Sequence, residues 1–218
     1  MLGLLIKDFL ALKKYAKTLL TIFSIYAIWS YIENDATLLI SFTTFIFVMI
    51  TITSLAYDEQ CNWFQYAKTM PFNPKTIVLS KYALGFLLCT VGITLSTTTA
   101  LLISIINHSF PAIIKTVFVI SINVFMLGLL FVSIYLPFVF QFGAEKSRMI
   151  AISIVLLPTL IITILSKIAP NILNTVLNAF SMIETNSIAF LIAIVFLIVI
   201  IIATSFFISI QIFKKKEF

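Results

Sequence analysis

Residues 116–144 read TVFVISINVFMLGLLFVSIYLPFVFQFGA, a run without one charged side chain. A helix crosses the ~30 Å of bilayer hydrocarbon with about 20 mostly apolar residues, rising 1.5 Å per residue. This run is long enough, and it is apolar on every face, which suits a helix surrounded by lipid or protein and not by water. Its neighbours repeat the pattern. Similar apolar stretches occupy 18–32, 36–57, about 77–106, 149–166 and 185–213. The sequence thus predicts an all-α membrane protein with six transmembrane helices in a single domain, 1–218. The run after Tyr82 is too long for one crossing, and Asn107-His108-Ser109-Phe110-Pro111 breaks it. The first stretch is the shortest and spans only if Lys17 and Glu33 reach outward to the headgroups.

Composition agrees. Hydrophobic residues make up 61% of the chain, charged residues 10%, and mean hydropathy is +1.18. A soluble domain needs roughly a quarter of its residues charged. The net charge of +6 implies no nucleic-acid partner, because the charges sit at the ends of apolar runs and build no basic face. Their placement sets orientation instead. With the N-terminus inside, cytoplasmic segments hold Lys7, Lys13, Lys14, Lys17, Lys68, Lys75, Lys81, Lys146, Arg148, Lys214, Lys215 and Lys216. The opposite side holds only Lys115 and Lys167. Such a bias predicts both ends in the cytoplasm. Abundant lysine and isoleucine suit an AT-rich bacterial genome, and the expected location is the bacterial plasma membrane, crossed several times. Cys61 in a cytoplasmic loop and Cys89 inside a helix imply no disulfide framework. Lys7, Asp8, Lys13, Lys14 and Lys17 interrupt the N-terminal apolar residues, unlike a cleavable signal.

Three segments outside the spans carry further information. At helical spacing Leu2, Leu5, Ile6, Phe9 and Leu12 fall on one side of the N-terminal segment, with Lys7, Lys14 and Lys17 on another. This predicts an amphipathic helix in the cytoplasmic interface, its lysines meeting lipid headgroups; the alternative is that it extends the first span. In the loop 57–81, Asp58 and Glu59 suit the first turn of a short helix. Pro71 ends that helix, and Pro74 holds the chain extended before Lys81 opens the third span. Trp63, Phe64, Tyr66, Ala67 and Met70 give the short helix an apolar stripe that must lie on the membrane or dock into a partner. Trp63 and Tyr66 also fit the interfacial aromatic belt. Finally, 167–187 carries Ile172, Leu173, Val176, Leu177 and Phe180 interleaved with asparagines, and reads as an external amphipathic or re-entrant hairpin.

Several chemistries are missing. No Gly-Lys-Ser/Thr phosphate loop is present, so the chain is expected to hydrolyse no ATP itself. His108 has no acidic neighbours and suits a solvated turn, so neither a metal site nor a catalytic residue is expected. The spans lack charges at their centres, which disfavours an intramembrane enzyme or a proton relay. The remaining polar candidates for a pathway or for interhelical bonding are Ser96, Thr97 and the run to Thr99, Asn123 and Gln141. Pro137 and Pro158 read as helix kinks.

An interfacial helix, six spans, an aromatic helix after the second and a hairpin before the sixth together resemble the ABC-2 type exporter permeases. The opening Leu-Ile-Lys-Asp-Phe, with Tyr57-Asp58-Glu59, Trp63, Tyr66, Met70-Pro71, Pro74-Lys75, Ile77-Val78 and Ser80-Lys81-Tyr82, is similar to a small bacterial subfamily that includes the phenol-soluble modulin exporter membrane subunits. The resemblance implies two permease subunits, alike or different, pairing with two separate ATP-binding-cassette ATPase subunits that hold the ATP and Mg. It makes 1–16 an elbow helix and 58–70 the coupling helix seated on the ATPase. Asp58, Glu59, Trp63, Tyr66 and Lys68 would then face the ATPase, with Glu145 and Arg148 in a second, smaller contact. Cargo would be hydrophobic or amphipathic, peptides foremost. The competing reading is a non-transporting immunity or assembly factor that binds its target through helix contacts.

Overall fold

A computed structural model describes residues 2–33, 35–70, 73–107, 110–168 and 188–215. These residues form α1 (Leu2–Leu12), a short 3-10 turn (Lys13–Tyr15), α2 (Ala16–Glu33), α3 (Ala36–Gln60) and α4 (Trp63–Thr69). There follow α5 (Pro74–Ile106), α6 (Phe110–Phe142), α7 (Ala144–Ile168) and α8 (Ile188–Lys215). Among the described residues, four segments are long and apolar enough to cross a membrane: Ala36–Gln60, Pro74–Ile106, Ile114–Phe142 and Val195–Lys215. Helices α2 and α7 occupy the places of the first and fifth expected spans. Most of the expected hairpin, 169–187, and His108 lie outside the described residues.

Local chemistry explains the helix ends. Asp35 caps α3, its carboxylate accepting from the Thr37 amide at 2.8 Å. Hydrogen bonds from the Thr37 hydroxyl and then from its amide favour the charged carboxyl and hold it below the ordinary carboxylate value. Asn73 caps α5 in the same way, accepting from the Lys75 amide at 3.1 Å. Pro74 therefore occupies the first helical position, where its missing N–H and fixed φ cost nothing, and it starts the helix it was expected to delay. Asn62, at φ +50°, turns the chain from α3 into α4, and Gly143, at φ +86°, turns it from α6 into α7.

Helix α3 sits centrally, against α2, α5 and α6, while α8 closes on α5 and α6. Glycines set the close approaches. A Cβ on Gly92 would lie 2.9 Å from the Phe47 Cβ and 3.2 Å from the Thr44 Cα; one on Gly128 would lie 2.8 Å from the Cys89 Sγ. Small residues let membrane helices pack at such distances. A chain of hydroxyls ties α8 in place. The Tyr82 Oη is 2.6 Å from the Ser205 Oγ and 2.8 Å from the Ser209 Oγ, and Ser205 donates to the Ser133 carbonyl of α6. Elsewhere large apolar side chains face outward, among them Leu102, Phe118, Leu127, Phe196 and Phe207, as a lipid-facing surface requires.

Helix α1 is a separate helix, divided from α2 by the 3-10 turn. Leu4, Asp8 and Leu12, four residues apart, turn inward, while Ile6 and Phe9 are exposed.

Candidate functional site

The polar residues gather where α1, α3, α4 and the start of α5 meet. Helix α4 places Phe64 and Ala67 inward. The Phe64 ring lies edge-on to Phe213 at 5.7 Å and to Phe140 at 6.4 Å. Trp63 is half-buried beneath the Lys7 ammonium, 4.2 Å from the ring centroid. Tyr66 is 55% exposed, its ring 5.7 Å from that of Trp63. The apolar stripe predicted to seek a membrane or a partner is thus divided: Phe64 and Ala67 are used by the chain's own core, and Tyr66 points away from it. Lys68 lies on α4, but its side chain is outside the described residues.

Asp58 and Glu59 do not open a short helix. Nothing in the sequence breaks α3 before the Cys61–Asn62 turn, so both carboxylates fall in its last turn, the end where the helix dipole disfavours them. Each is compensated differently. Asp58 is buried, with its Oδ1 2.6 Å from the Lys7 Nζ and its Oδ2 2.5 Å from the Lys81 Nζ. It faces the chain's interior and not an external partner. Glu59 turns the other way and accepts from the Ala144 amide at 2.6 Å, capping α7 where that helix's positive end welcomes a carboxylate.

Asp8, given no role by sequence reasoning, completes the first group. Its two oxygens accept from the Lys81 Nζ at 2.9 and 2.8 Å, and the same ammonium donates to the Ser54 Oγ at 3.2 Å. Lys7 lies 3.1 Å from Asp8. The available signal was the position of Asp8 on the Leu4–Leu12 stripe of α1. Lys7 and Lys81 were counted among the cytoplasmic basic residues that fix orientation, yet both are bound within the protein, and Lys81 is 2% exposed. Beside them the Lys14 ammonium sits 3.8 Å above the Tyr57 ring, and its bond to the Tyr57 hydroxyl raises its pKa above the ordinary lysine value.

Glu59 also borders a cavity of about 430 Å³, lined with Ala56, Gln60, Phe142, Gly143, Ala144, Glu145 and Lys146. Glu145 is exposed there; the Arg148 side chain lies outside the described residues. The expected polar pathway residues do not converge. Ser96 is buried and donates to the Ile93 carbonyl, as does Thr97, so both are satisfied within α5. Asn123 is exposed on α6 and donates to the Val119 carbonyl. What opens on the side of the bundle is an apolar groove of about 540 Å³ between α3 and α6, walled by Phe42, Phe45, Val48, Leu127, Phe131 and Ile134.

No curated protein and no solved structure matches the chain. Residues 3–214 match the family model described as ABC-2 family transporter protein, and the chain belongs to that family of membrane permeases.

Proposed function

We infer that the chain is the permease subunit of an ATP-driven exporter, with six spans, both ends in the cytoplasm, and a second permease subunit beside it. ATP and Mg are held by a separate cassette subunit. The observation that carries this reading is α4, in a chain of a transporter family: a short aromatic helix fastened from beneath by Phe64 and Lys7, with Tyr66 left exposed for a partner. Tyrosine gives large, rigid contact area at low entropic cost, as interface anchors require. In this reading α1 is the elbow helix, and α4, preceded by the turn at Cys61 and Asn62, is the coupling element. The cavity beside Glu59 and Glu145 is the second, smaller contact. Lipid covers the remaining apolar exterior.

The groove between α3 and α6 supports a hydrophobic or amphipathic cargo. Its walls are apolar apart from Ser41 and Thr44, and the Thr44 hydroxyl is buried without a hydrogen-bond partner. Peptides suit such a groove, in keeping with the subfamily the sequence resembles.

Extraction in mild detergent and identification of what co-purifies tests the assignment. A stoichiometric cassette ATPase, lost on Tyr66→Ala while the permease stays folded, is the expected result. Because Tyr66 points outward, its truncation leaves the core intact. Recovery of the permease alone, across several gentle detergents, would favour the immunity or assembly factor.

A further inference from the structure

The buried charges Asp8, Asp58 and Lys81, with the partly exposed Lys7, have no part in cargo binding or in the exposed face of α4. Two ammoniums and two carboxylates cancel, and they come from three helices, α1, α3 and α5. Asp8 and Lys81 are 1% and 2% exposed. Stability is a poor explanation for such a cluster. Replacing buried ion pairs by well-packed apolar residues is often neutral or stabilising, because desolvation offsets the attraction between the charges. Charged hydrogen bonds do supply geometry. Lys81 meets both oxygens of Asp8 at one axial and one rotational setting of α1, whereas leucines would tolerate sliding.

The cluster also reaches α4. Lys7 bonds Asp58 at 2.6 Å and covers Trp63, the first residue of α4, at 4.2 Å. Asp58 lies in the last turn of the helix that leads into α4 and forms an ion pair with Lys81 of α5. Helix α4 is therefore tied to α1 directly, through Trp63 and Lys7, and to α5 by way of Asp58 and Lys81, across a turn that contains only Cys61 and Asn62.

We propose that this quartet is a register clamp: it makes α1, α4 and the first turns of α5 move as one body, so that a displacement of α4 is delivered to the spans and not absorbed in the turn. The proposal rests on the reading of α4 as the element that the ATPase displaces. Its test needs neither ATPase nor cargo, so the two readings fail separately.

Hydrogen exchange of the purified full-length chain in lipid nanodiscs, read by mass spectrometry, measures the coupling. The double variant Asp8→Asn/Lys81→Met removes one charge of each sign and leaves Lys7 paired with Asp58; neither changed residue belongs to α4. Amides of 63–69 should nevertheless exchange at least tenfold faster, while those of α6 stay as they were. Conversely, Trp63→Ala, which meets the quartet through Lys7, should speed exchange in α1, since coupling between two sites is reciprocal. Combining all three changes should give less than the sum of the separate effects on log rate, because the link is already broken. Effects confined to α1 in the double variant and to α4 in Trp63→Ala would reduce the quartet to local packing and overturn the proposal, as would strict additivity. If the double variant does not fold, Trp63→Ala alone decides: unchanged exchange in α1 overturns the clamp, and faster exchange there supports it.

Discussion

Gly143 stands where two constraints meet. Its φ of +86° favours glycine, and a Cβ there would lie 2.9 Å from the Glu59 Oε1 and 3.2 Å from the Oε2 that caps α7. Gly143→Ala should therefore destabilise the protein by about 1–3 kcal/mol through backbone strain and displacement of the cap. Glu59→Ala should cost about 1 kcal/mol through loss of the cap alone. The double variant should cost less than the sum, since the alanine at 143 already displaces Glu59; thermal unfolding in one detergent measures all three. Asp35 offers a pH test. Its folded pKa is depressed below the ordinary 3.8 by the Thr37 hydroxyl and amide, so its cap is fully present above that value and is lost as pH falls through the lower, folded pKa. Wild type and Asp35→Ala should differ at neutral pH and converge in acid; a difference that does not shrink as pH falls excludes the charged cap. At this scale little was legible in the sequence. Asp58 and Glu59 are adjacent and chemically alike, yet one turns to Lys7 and Lys81 and the other to the amide of Ala144. Asp8 and Lys81 lie 73 positions apart, and no local pattern announces that a charge on an apolar helix has a distant partner.

Among the elements, close glycine contacts predict an order of tolerance. At Gly92 the obstacles are the Cβ of Phe47 and the Cα of Thr44, both fixed to backbone, so Gly92→Ala must push α3 and α5 apart and should cost about 1–3 kcal/mol. At Gly128 the obstacle is a thiol that can rotate, and Gly128→Ala should cost less. Equal losses in thermal stability would mean that α3 and α5 separate more easily than their packing implies. Helices were the legible portion of the fold. Apolar runs free of charge located α3, α6 and the bulk of α5 and α8, since a bilayer leaves a chain few other ways to satisfy its backbone. Boundaries near charges and prolines were less legible. Pro74 has two meanings, ending one helix or opening the next, and the Asn73 side chain decided between them. The stripe on α4 showed that something apolar must cover it, but not that Phe140 and Phe213 of the same chain would do so.

For the molecule as a whole, the two cysteines provide a native test of topology. Cys61 is exposed beside α4 and Cys89 is buried. With both ends inside, a membrane-impermeant maleimide should leave intact cells unlabelled and should modify inverted vesicles at Cys61 only. Labelling of intact cells would reverse the orientation. The exposed apolar surface and the family were legible from composition and from the loop after the second span, but the internal use of Lys7 and Lys81 was not, because counting charges by segment says nothing of their burial. One contact bears on biosynthesis. Phe213, in the last turns of α8, helps to form the seat of Phe64 on α4. A nascent chain still lacking α8 has made every residue of α4 yet cannot seat it, and the hydroxyl of Tyr82 still awaits Ser205 and Ser209. The seat of α4 is thus completed only once α8 has been synthesised and inserted.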